Sequence, residues 1–260
     1  MNTDPPQQPN TLAITRLPGE NFALGITTSD LGAPDYELMQ SQHRAYVDAL
    51  QSLGLQVTVL EALPDYPDAY FVEDVAVVTP EIAVITRPGA PARRGEEQAI
   101  LEALAPYRPT THIQAPGTLD GGDVLIIDKS VFIGLSARTN ADGAAQLGNL
   151  LEPYGYAWTG VPVGGGLHLK SGVNALSEDT LLITQEFSEV DVFRTYRKII
   201  VPAGEEYAAN TLRINNGLIT PRGYPGVRRA LSRLELEIIE LDVSEACKMD
   251  GGLTCMSLRF

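Results

Sequence analysis

Three residues of the 260-residue chain have the types and surroundings that nucleophilic catalysis requires. Cys255 lies in the terminal segment DGGLTCMSLRF, His168 in HLKSG and Asp120 in TLDGGDVL. A cysteine thiolate attacks electron-poor carbon, a histidine accepts and donates protons near neutral pH, and a carboxylate can orient the imidazole. We therefore predict that Cys255 is a nucleophile, His168 a general acid and base, and Asp120 the orienting partner of His168, if the fold brings the three together.

A repeat of strand, strand, helix and strand can bring them together. Paired apolar runs are joined by a few turn-forming residues, and most pairs precede a segment with helical periodicity. The second runs begin near residues 82, 131, 181 and 217. The pairs are 74–78 with 82–86, 123–127 with 131–135, 172–176 with 180–184, and 211–215 with 217–220; predicted helices cover 36–53, 95–107, 141–155 and 226–234, and further strands cover 56–60, 110–114 and 236–243.

The two chain ends supply a fifth unit. The C-terminal SLRF is predicted to pair with TLAITRL near the N-terminus, and no linker rich in Gly and Ser divides the chain. We therefore predict a single mixed α/β domain over residues 1–260, a closed ring of five units, with residues 1–10 as a flexible tail. Closing a ring with both chain ends in one unit hides sheet edges. An open α/β sheet is the alternative that the same pattern allows.

Unusual polar residues occupy one position of this repeat, before or within the first strand of each pair. In a ring of equivalent units, residues at the same position of the repeat lie at the same distance from the centre of the ring. These residues are therefore predicted to converge on a central pocket. Adjacent carboxylates at the start of an apolar strand, Glu73 and Asp74, suit a ligand better than they suit a strand boundary. The five groups are 73–74, 120–123, 168–170, 207–210 and 250–255.

Composition excludes several classes of function. The chain has 33 acidic and 19 basic residues, a net charge of −14, which argues against nucleic acid or an anionic membrane surface as a partner because both attract clustered Lys and Arg. It permits a cationic ligand. Two cysteines are too few for a disulfide framework and indicate a reducing, cytoplasmic compartment. Cys247 is interpreted as structural, His43 and His112 as solvated or core residues, and no ligand spacing for zinc is present.

With these residues in view, the chain resembles the dimethylarginine dimethylaminohydrolases of the guanidino-group-modifying superfamily, which have the five-bladed α/β propeller called the pentein fold. The similarity extends from about residue 24 to 260, through FVEDVAVV, ITRPGA, RRGE, APGTLDGGDVL, GLSARTN, HLKSG, YAAN and DGGLTCMSLRF. It implies the same roles for Cys255, His168 and Asp120. The orienting position varies between Asp and Glu among relatives, so the shorter Asp120 can shift the imidazole slightly.

The resemblance also implies a set of substrate contacts. Glu73 and Asp74 would clasp a guanidinium group, Arg93 and Arg138 would hold an α-carboxylate, and Asp68 would hold an α-amino group. The backbone of Ile26, in the mobile segment GITTSDLG, and that of Met249 would line the site. From the residues alone, the favoured interpretation is that Arg93 is an exposed charge at a helix start and Arg138 an exposed charge in a loop.

The function that the resemblance implies is hydrolysis of N-omega-methylated L-arginines to L-citrulline and dimethylamine or methylamine, through a covalent Cys thiouronium intermediate. No metal or organic cofactor is expected, the partner is a small cationic guanidino substrate, and a homodimer is left open. One alternative is a deiminase acting on unmethylated arginine, although the chain has no room for the helical domain usually inserted in arginine deiminases. Others are a non-enzymatic binding propeller and a thiol redox protein, which the absence of a C-x-x-C spacing disfavours.

Overall fold

The computed structural model of the protein describes residues 10–164 and 168–260. Most of the predicted tail, residues 1–9, lies outside the described residues. The strands are β1 Leu12–Arg16, β2 Gln56–Leu60, β3 Ala76–Val78, β4 Ala83–Ile85, β5 Thr110–His112, β6 Val124–Ile127, β7 Ser130–Leu135, β8 Ala157–Pro162, β9 Val173–Ala175, β10 Thr180–Ile183, β11 Arg197–Ile200, β12 Leu212–Ile214, β13 Gly217–Pro221, β14 Glu237–Leu241 and β15 Leu258–Arg259. The helices are α1 Tyr36–Ser52, α2 Glu97–Leu104, α3 Ala141–Leu151, α4 Gln185–Ser188, α5 Pro225–Leu231 and α6 Ser244–Lys248.

The strands form five separate three-stranded sheets, ordered β15-β1-β2, β3-β4-β5, β6-β7-β8, β9-β10-β11 and β12-β13-β14. Each central strand is antiparallel to the first strand of its sheet and parallel to the third. A parallel pair needs a long crossover, and α1 to α5 occupy the five crossovers. The predicted five-unit α/β propeller is therefore confirmed, and a single open sheet is wrong.

The two chain ends meet in one sheet, as predicted. Strand β15 pairs with β1, with Ala13 opposite Arg259 and Ile14 opposite Leu258. The first strands of the sheets are mostly buried, whereas nearly all residues of β2, β5, β8 and β11 are partly or fully exposed. The first strands therefore face the centre of the ring, where the polar groups were expected.

The turns that precede these first strands contact one another in order and close the ring. Short 3-10 turns cover Val72–Val75, Gly121–Asp123, Leu169–Ser171 and Glu206–Ala209. Hydrogen bonds link successive turns: Leu169 N to Asp123 Oδ1 at 2.9 Å, Asn210 Nδ2 to Lys170 O at 3.1 Å, Thr254 N to Asn210 Oδ1 at 2.9 Å and Glu73 N to Cys255 O at 3.0 Å.

Some predicted elements differ from the structure. Asp74 and Asp123 were predicted as the first residues of strands, but both lie in the 3-10 turns that precede β3 and β6. Strand β11 and helices α4 and α6 were not predicted. Among the described residues, none of the helices is long and apolar enough to cross a membrane.

Candidate active site

A small cavity opens where the turns that precede the five first strands meet. It contains eight of the ten predicted site residues, while Asp120 and Glu73 lie outside its lining. Phe71 was not predicted at the site, whereas Asp250 and Gly251 belong to the group 250–255 that was predicted to converge on the central pocket without individual roles. The lining residues are Ile26, Asp68, Phe71, Asp74, Arg93, Arg138, His168, Met249, Asp250, Gly251 and Cys255.

Cys255 lies within the turn at residues 253–256 that leads into β15, and its side chain is partly exposed in the cavity. Burial raises the pKa of the Cys255 thiol to about 12, and the carboxylates of Asp74 and Glu73 contribute to the rise. Without a ligand the sulfur is therefore protonated at neutral pH. A cation placed against these carboxylates would offset their effect and favour the thiolate.

His168 stands between two buried carboxylates. Its Nε2 lies 3.0 Å from Asp120 Oδ2, and its Nδ1 lies 3.9 Å from Asp74 Oδ1. Burial disfavours the imidazolium, but Asp74, the hydrogen bond with Asp120 and the charge of Asp123 outweigh burial and raise the pKa of His168 to about 9. The shorter side chain of Asp120 thus keeps the contact that a glutamate would make, and Nδ1 is the nitrogen available for proton transfer at the cavity.

Replacing Asp120 with asparagine is expected to lower the pKa of His168 below about 9, because the charge at Nε2 is removed. The stabilisation from His168 is full below its ordinary pKa of 6.5 and is lost as pH rises through about 9, so the variant should lose part of it. An NMR titration of the His168 ring measures the shift. The control is Asp123→Asn, which removes a nearby charge that makes no hydrogen bond to the ring and should lower the pKa of His168 less. An unchanged His168 pKa in Asp120→Asn would contradict this assignment.

Arg93 is buried and bridges two carboxylates. Its Nη1 donates to Asp74 Oδ2 at 2.5 Å and its Nη2 to Glu96 Oε2 at 2.7 Å, while Nη2 also donates to the carbonyls of Asp68 and Phe71. The reading of Arg93 as an exposed charge is therefore wrong. Burial would lower the pKa of Arg93, but Glu96 and Asp74 outweigh burial and raise this pKa well above its ordinary value.

We expect Arg93→Met to reduce the free energy of unfolding by about 3–5 kcal/mol, because Asp74 and Glu96 would be left buried without their countercharge. Urea denaturation at neutral pH measures the loss. The control is Arg228→Met, which breaks a half-exposed pair with Glu240 and should cost less than about 1 kcal/mol. Equal losses in the two variants would show that the Arg93 cluster is not a buried ion network.

Glu73 points away from the cavity lining. Its Oε1 contacts Lys170 Nζ at 2.7 Å and Arg259 Nη2 at 2.8 Å. Burial would raise the pKa of Glu73, but these two cations outweigh it and lower the pKa. Its Oε2 is buried with no hydrogen-bond partner among the described residues, so direct binding of a substrate by Glu73 would have to involve this oxygen.

The other predicted contacts lie at the mouth of the cavity. Asp68 accepts hydrogen bonds from Ile26 N on both carboxylate oxygens at 3.1 Å, and burial raises the pKa of Asp68. Arg138 is partly buried and makes a long ion pair, 3.7 Å, with Asp120. Thr28 N donates to Asp250 Oδ2 at 2.5 Å, which joins the segment after Ile26 to the far side of the cavity.

Asp74, Asp120 and His168 are also the group that could hold a metal ion in the described part of the chain, because their ligand atoms all lie within 4.8 Å of one another. Both ring nitrogens of His168 already face carboxylates, so a metal ion would compete with the imidazole proton. Outside the cavity, His43 is buried and His112 is exposed. Cys247 is partly buried and contacts Tyr207.

The five-unit ring with its central cavity is a pentein-type α/β propeller. It matches the structure of a dimethylarginine dimethylaminohydrolase from Pseudomonas aeruginosa, a cysteine-to-serine mutant complexed with citrulline, with a TM-score of 0.95 and 41% identity over 96% of this chain and 99% of that chain. A family model described as N,N dimethylarginine dimethylhydrolase, eukaryotic, matches residues 35–203. The chain belongs to the dimethylarginine dimethylaminohydrolase family.

Relatives with that name cover nearly all of the chain. The N(G),N(G)-dimethylarginine dimethylaminohydrolase of Pseudomonas aeruginosa is 42% identical over 249 residues, 95% of this chain and 98% of the relative. The protein of the same name from Streptomyces coelicolor is 36% identical over 254 residues, 96% of this chain and 97% of the relative. A further structure, a histidine-to-glycine variant of a dimethylarginine dimethylaminohydrolase as an adduct with S-methyl-L-thiocitrulline, has a TM-score of 0.94 and 41% identity over 96% of this chain and 100% of that chain.

Proposed function

We propose that the protein hydrolyses N-omega-methylated L-arginines to L-citrulline and dimethylamine or methylamine, with Cys255 as the nucleophile. The observation that carries the proposal is that Cys255 and His168 open on one cavity whose other polar residues are carboxylates and two arginines. Family membership over the whole length of the chain supports it. Carboxylates in such a cavity can bind a guanidinium group and an α-amino group, and arginines can bind an α-carboxylate.

The positive charge of the substrate favours the thiolate form of Cys255. The guanidinium binds against Asp74, where a cation offsets the carboxylates that raise the pKa of Cys255. The thiol proton leaves to solvent, and the thiolate attacks the central guanidinium carbon. His168 enters this step protonated, since its pKa is about 9, and its Nδ1 proton passes to the departing amine. The products of the step are the amine, neutral His168 and a thiouronium on Cys255.

Hydrolysis reverses the role of His168. The neutral imidazole takes a proton from water, and the resulting hydroxide attacks the thiouronium carbon. The bond to the sulfur then breaks, the thiol of Cys255 is restored, and citrulline leaves. Asp120 keeps the ring oriented through both steps because its carboxylate holds Nε2 at 3.0 Å. This cycle uses the side chains of Cys255, His168, Asp74 and Asp120 and water.

The amino-acid part of the substrate is held by the mouth of the cavity. Arg138, whose ion pair with Asp120 is long, offers a forked pair of donors to the α-carboxylate. Arg93 contributes only the second N–H of its Nη1, because Asp74, Glu96 and two carbonyls take its other donors. Asp68 accepts a hydrogen bond from the α-amino group, and the backbone of Ile26 and that of Met249 line the cavity. We propose Asp74 as the direct partner of the guanidinium, with Glu73 contributing through Oε2.

A side-by-side substrate comparison tests this proposal. We expect citrulline from asymmetric dimethylarginine and from monomethylarginine, and much less from arginine. Faster turnover of unmethylated arginine would instead identify a deiminase, and failure on all three would favour a binding protein.

We further propose a reducing, cytoplasmic setting for the enzyme, since both cysteines are free. The net charge of −14 disfavours nucleic acid as a partner.

A further inference from the structure

Asn210 links the turn that carries Cys255 to the turn that carries His168. Its Oδ1 accepts a hydrogen bond from Thr254 N at 2.9 Å, and its Nδ2 donates to the Thr254 hydroxyl at 3.0 Å and to the Lys170 carbonyl at 3.1 Å. Thr254 directly precedes the nucleophile, and Lys170 follows the general acid by two residues. Asn210 is only 5% exposed, so water does not replace these bonds easily.

The same amide group supports the peptide beside the reactive sulfur. A Cβ atom built on Gly252 would lie 2.5 Å from Asn210 Oδ1 and 2.6 Å from its Cγ, so the amide packs directly against the Gly252 backbone. The polar backbone N–H of Gly252 lowers the pKa of the Cys255 thiol and so favours the thiolate, against the larger effect of burial. The glycine at position 252 is thus required by this close approach.

We propose that Asn210 is a positioning residue of the active site, which holds the Cys255 turn in register with the His168 turn and fixes the backbone of Gly252 in that turn. The two reacting groups belong to different units of the ring, and their relative placement depends on side chains that cross between units. A displacement of about 1 Å between reacting groups can cost about 100-fold in rate. The catalytic part of this inference rests on the proposed function, whereas the effect on the sulfur does not.

Asn174 provides a matched control. It is also 5% exposed, and its Nδ2 donates to the Lys170 carbonyl at 2.7 Å and to the Ala209 carbonyl at 2.9 Å. It therefore shares one partner and the burial of Asn210, but its bonds do not go to the Cys255 turn. Replacement of either asparagine by alanine removes the same atoms from an equally buried position, so general destabilisation cancels in the comparison.

The experiment measures the alkylation rate of Cys255 by iodoacetamide between pH 7 and 10, with peptide mass spectrometry to separate Cys255 from Cys247. We expect Asn210→Ala to slow alkylation of Cys255 about tenfold, the effect of about one unit in the pKa of the thiol, and Asn174→Ala to change it less than about twofold. With asymmetric dimethylarginine, Asn210→Ala should lower kcat about 10–100-fold and change KM much less.

A second variant alters the other partner in the contact between Asn210 and Gly252. Gly252→Ala keeps Asn210 but places a methyl group against its amide, and it should also slow alkylation of Cys255. Wild-type alkylation rates in folded Asn210→Ala or in Gly252→Ala, or equal effects of the two asparagine variants, would overturn the inference. The alkylation assay uses no methylarginine, so slow alkylation in a protein whose wild type forms no citrulline would refute the proposed function and leave the role of Asn210 intact.

Discussion

Cys255→Ser is expected to abolish citrulline formation while the fold remains intact. The hydroxyl has a higher pKa than the thiol and is a poor nucleophile, and His168 cannot deprotonate it because its imidazole is itself protonated at neutral pH. The loss should exceed about 10⁴-fold in kcat. Since the exchange of sulfur for oxygen hardly changes the volume, the free energy of unfolding should change by less than about 1 kcal/mol.

Cys247→Ser is the matched control for this variant. Cys247 is partly buried like Cys255, but it lies in α6 and contacts Tyr207 rather than the cavity. It should retain wild-type turnover and the wild-type unfolding transition. Citrulline release that survives in Cys255→Ser, or that is lost in Cys247→Ser, would show that the wrong thiol has been assigned.

The second large effect is expected from His168→Gly. Without the imidazole, neither the departing amine nor the attacking water has its proton-transfer group, so turnover of asymmetric dimethylarginine should fall by about 10²–10⁴-fold or more. S-methyl-L-thiocitrulline separates the two steps, because its methylthiolate leaves without strong assistance from an acid. We expect this compound to form the Cys255 adduct in the variant and the adduct to persist, as hydrolysis lacks its base.

The control for His168→Gly is Cys255→Ser with the same compound, which should form no adduct. Mass spectrometry of the intact protein follows the adduct over time. Rapid disappearance of the adduct in His168→Gly would mean that another group activates water, and Asp74, which lies 3.9 Å from the ring, would be the first to examine by substitution.

The repeat and its functional position could be predicted because both depend on local pattern. Paired apolar runs define hairpins, and the turn residues between them mark where each first strand ends. The polar groups that precede the first strands, which include Cys255, His168 and Asp74, are thereby predicted at the centre. Strand β11 could not be predicted in the same way. It follows the short helix α4 and an irregular segment, and its charged residues Arg197 and Lys198 conceal the pattern of an outer strand.

The side-chain networks of the site depend on residues distant in sequence, and pattern does not reveal them. Arg93 stands in a segment with two adjacent arginines, which suggests exposure, yet Asp74 from another element makes its burial possible. Glu73 and Asp74 are neighbours, but the turn directs one to Lys170 and the other to the cavity. Only the folded ring shows that adjacent carboxylates have different surroundings.

The most direct test of the account is identification of the covalent intermediate on Cys255. Wild-type protein is quenched in acid during turnover, digested and analysed by mass spectrometry. We predict one adduct on Cys255 whose mass equals the substrate minus its amine, and the same adduct mass from asymmetric dimethylarginine and from monomethylarginine, since the methylated nitrogen has already left. Citrulline formed with no adduct, an adduct on Cys247, or adducts that retain the methyl groups would contradict the account.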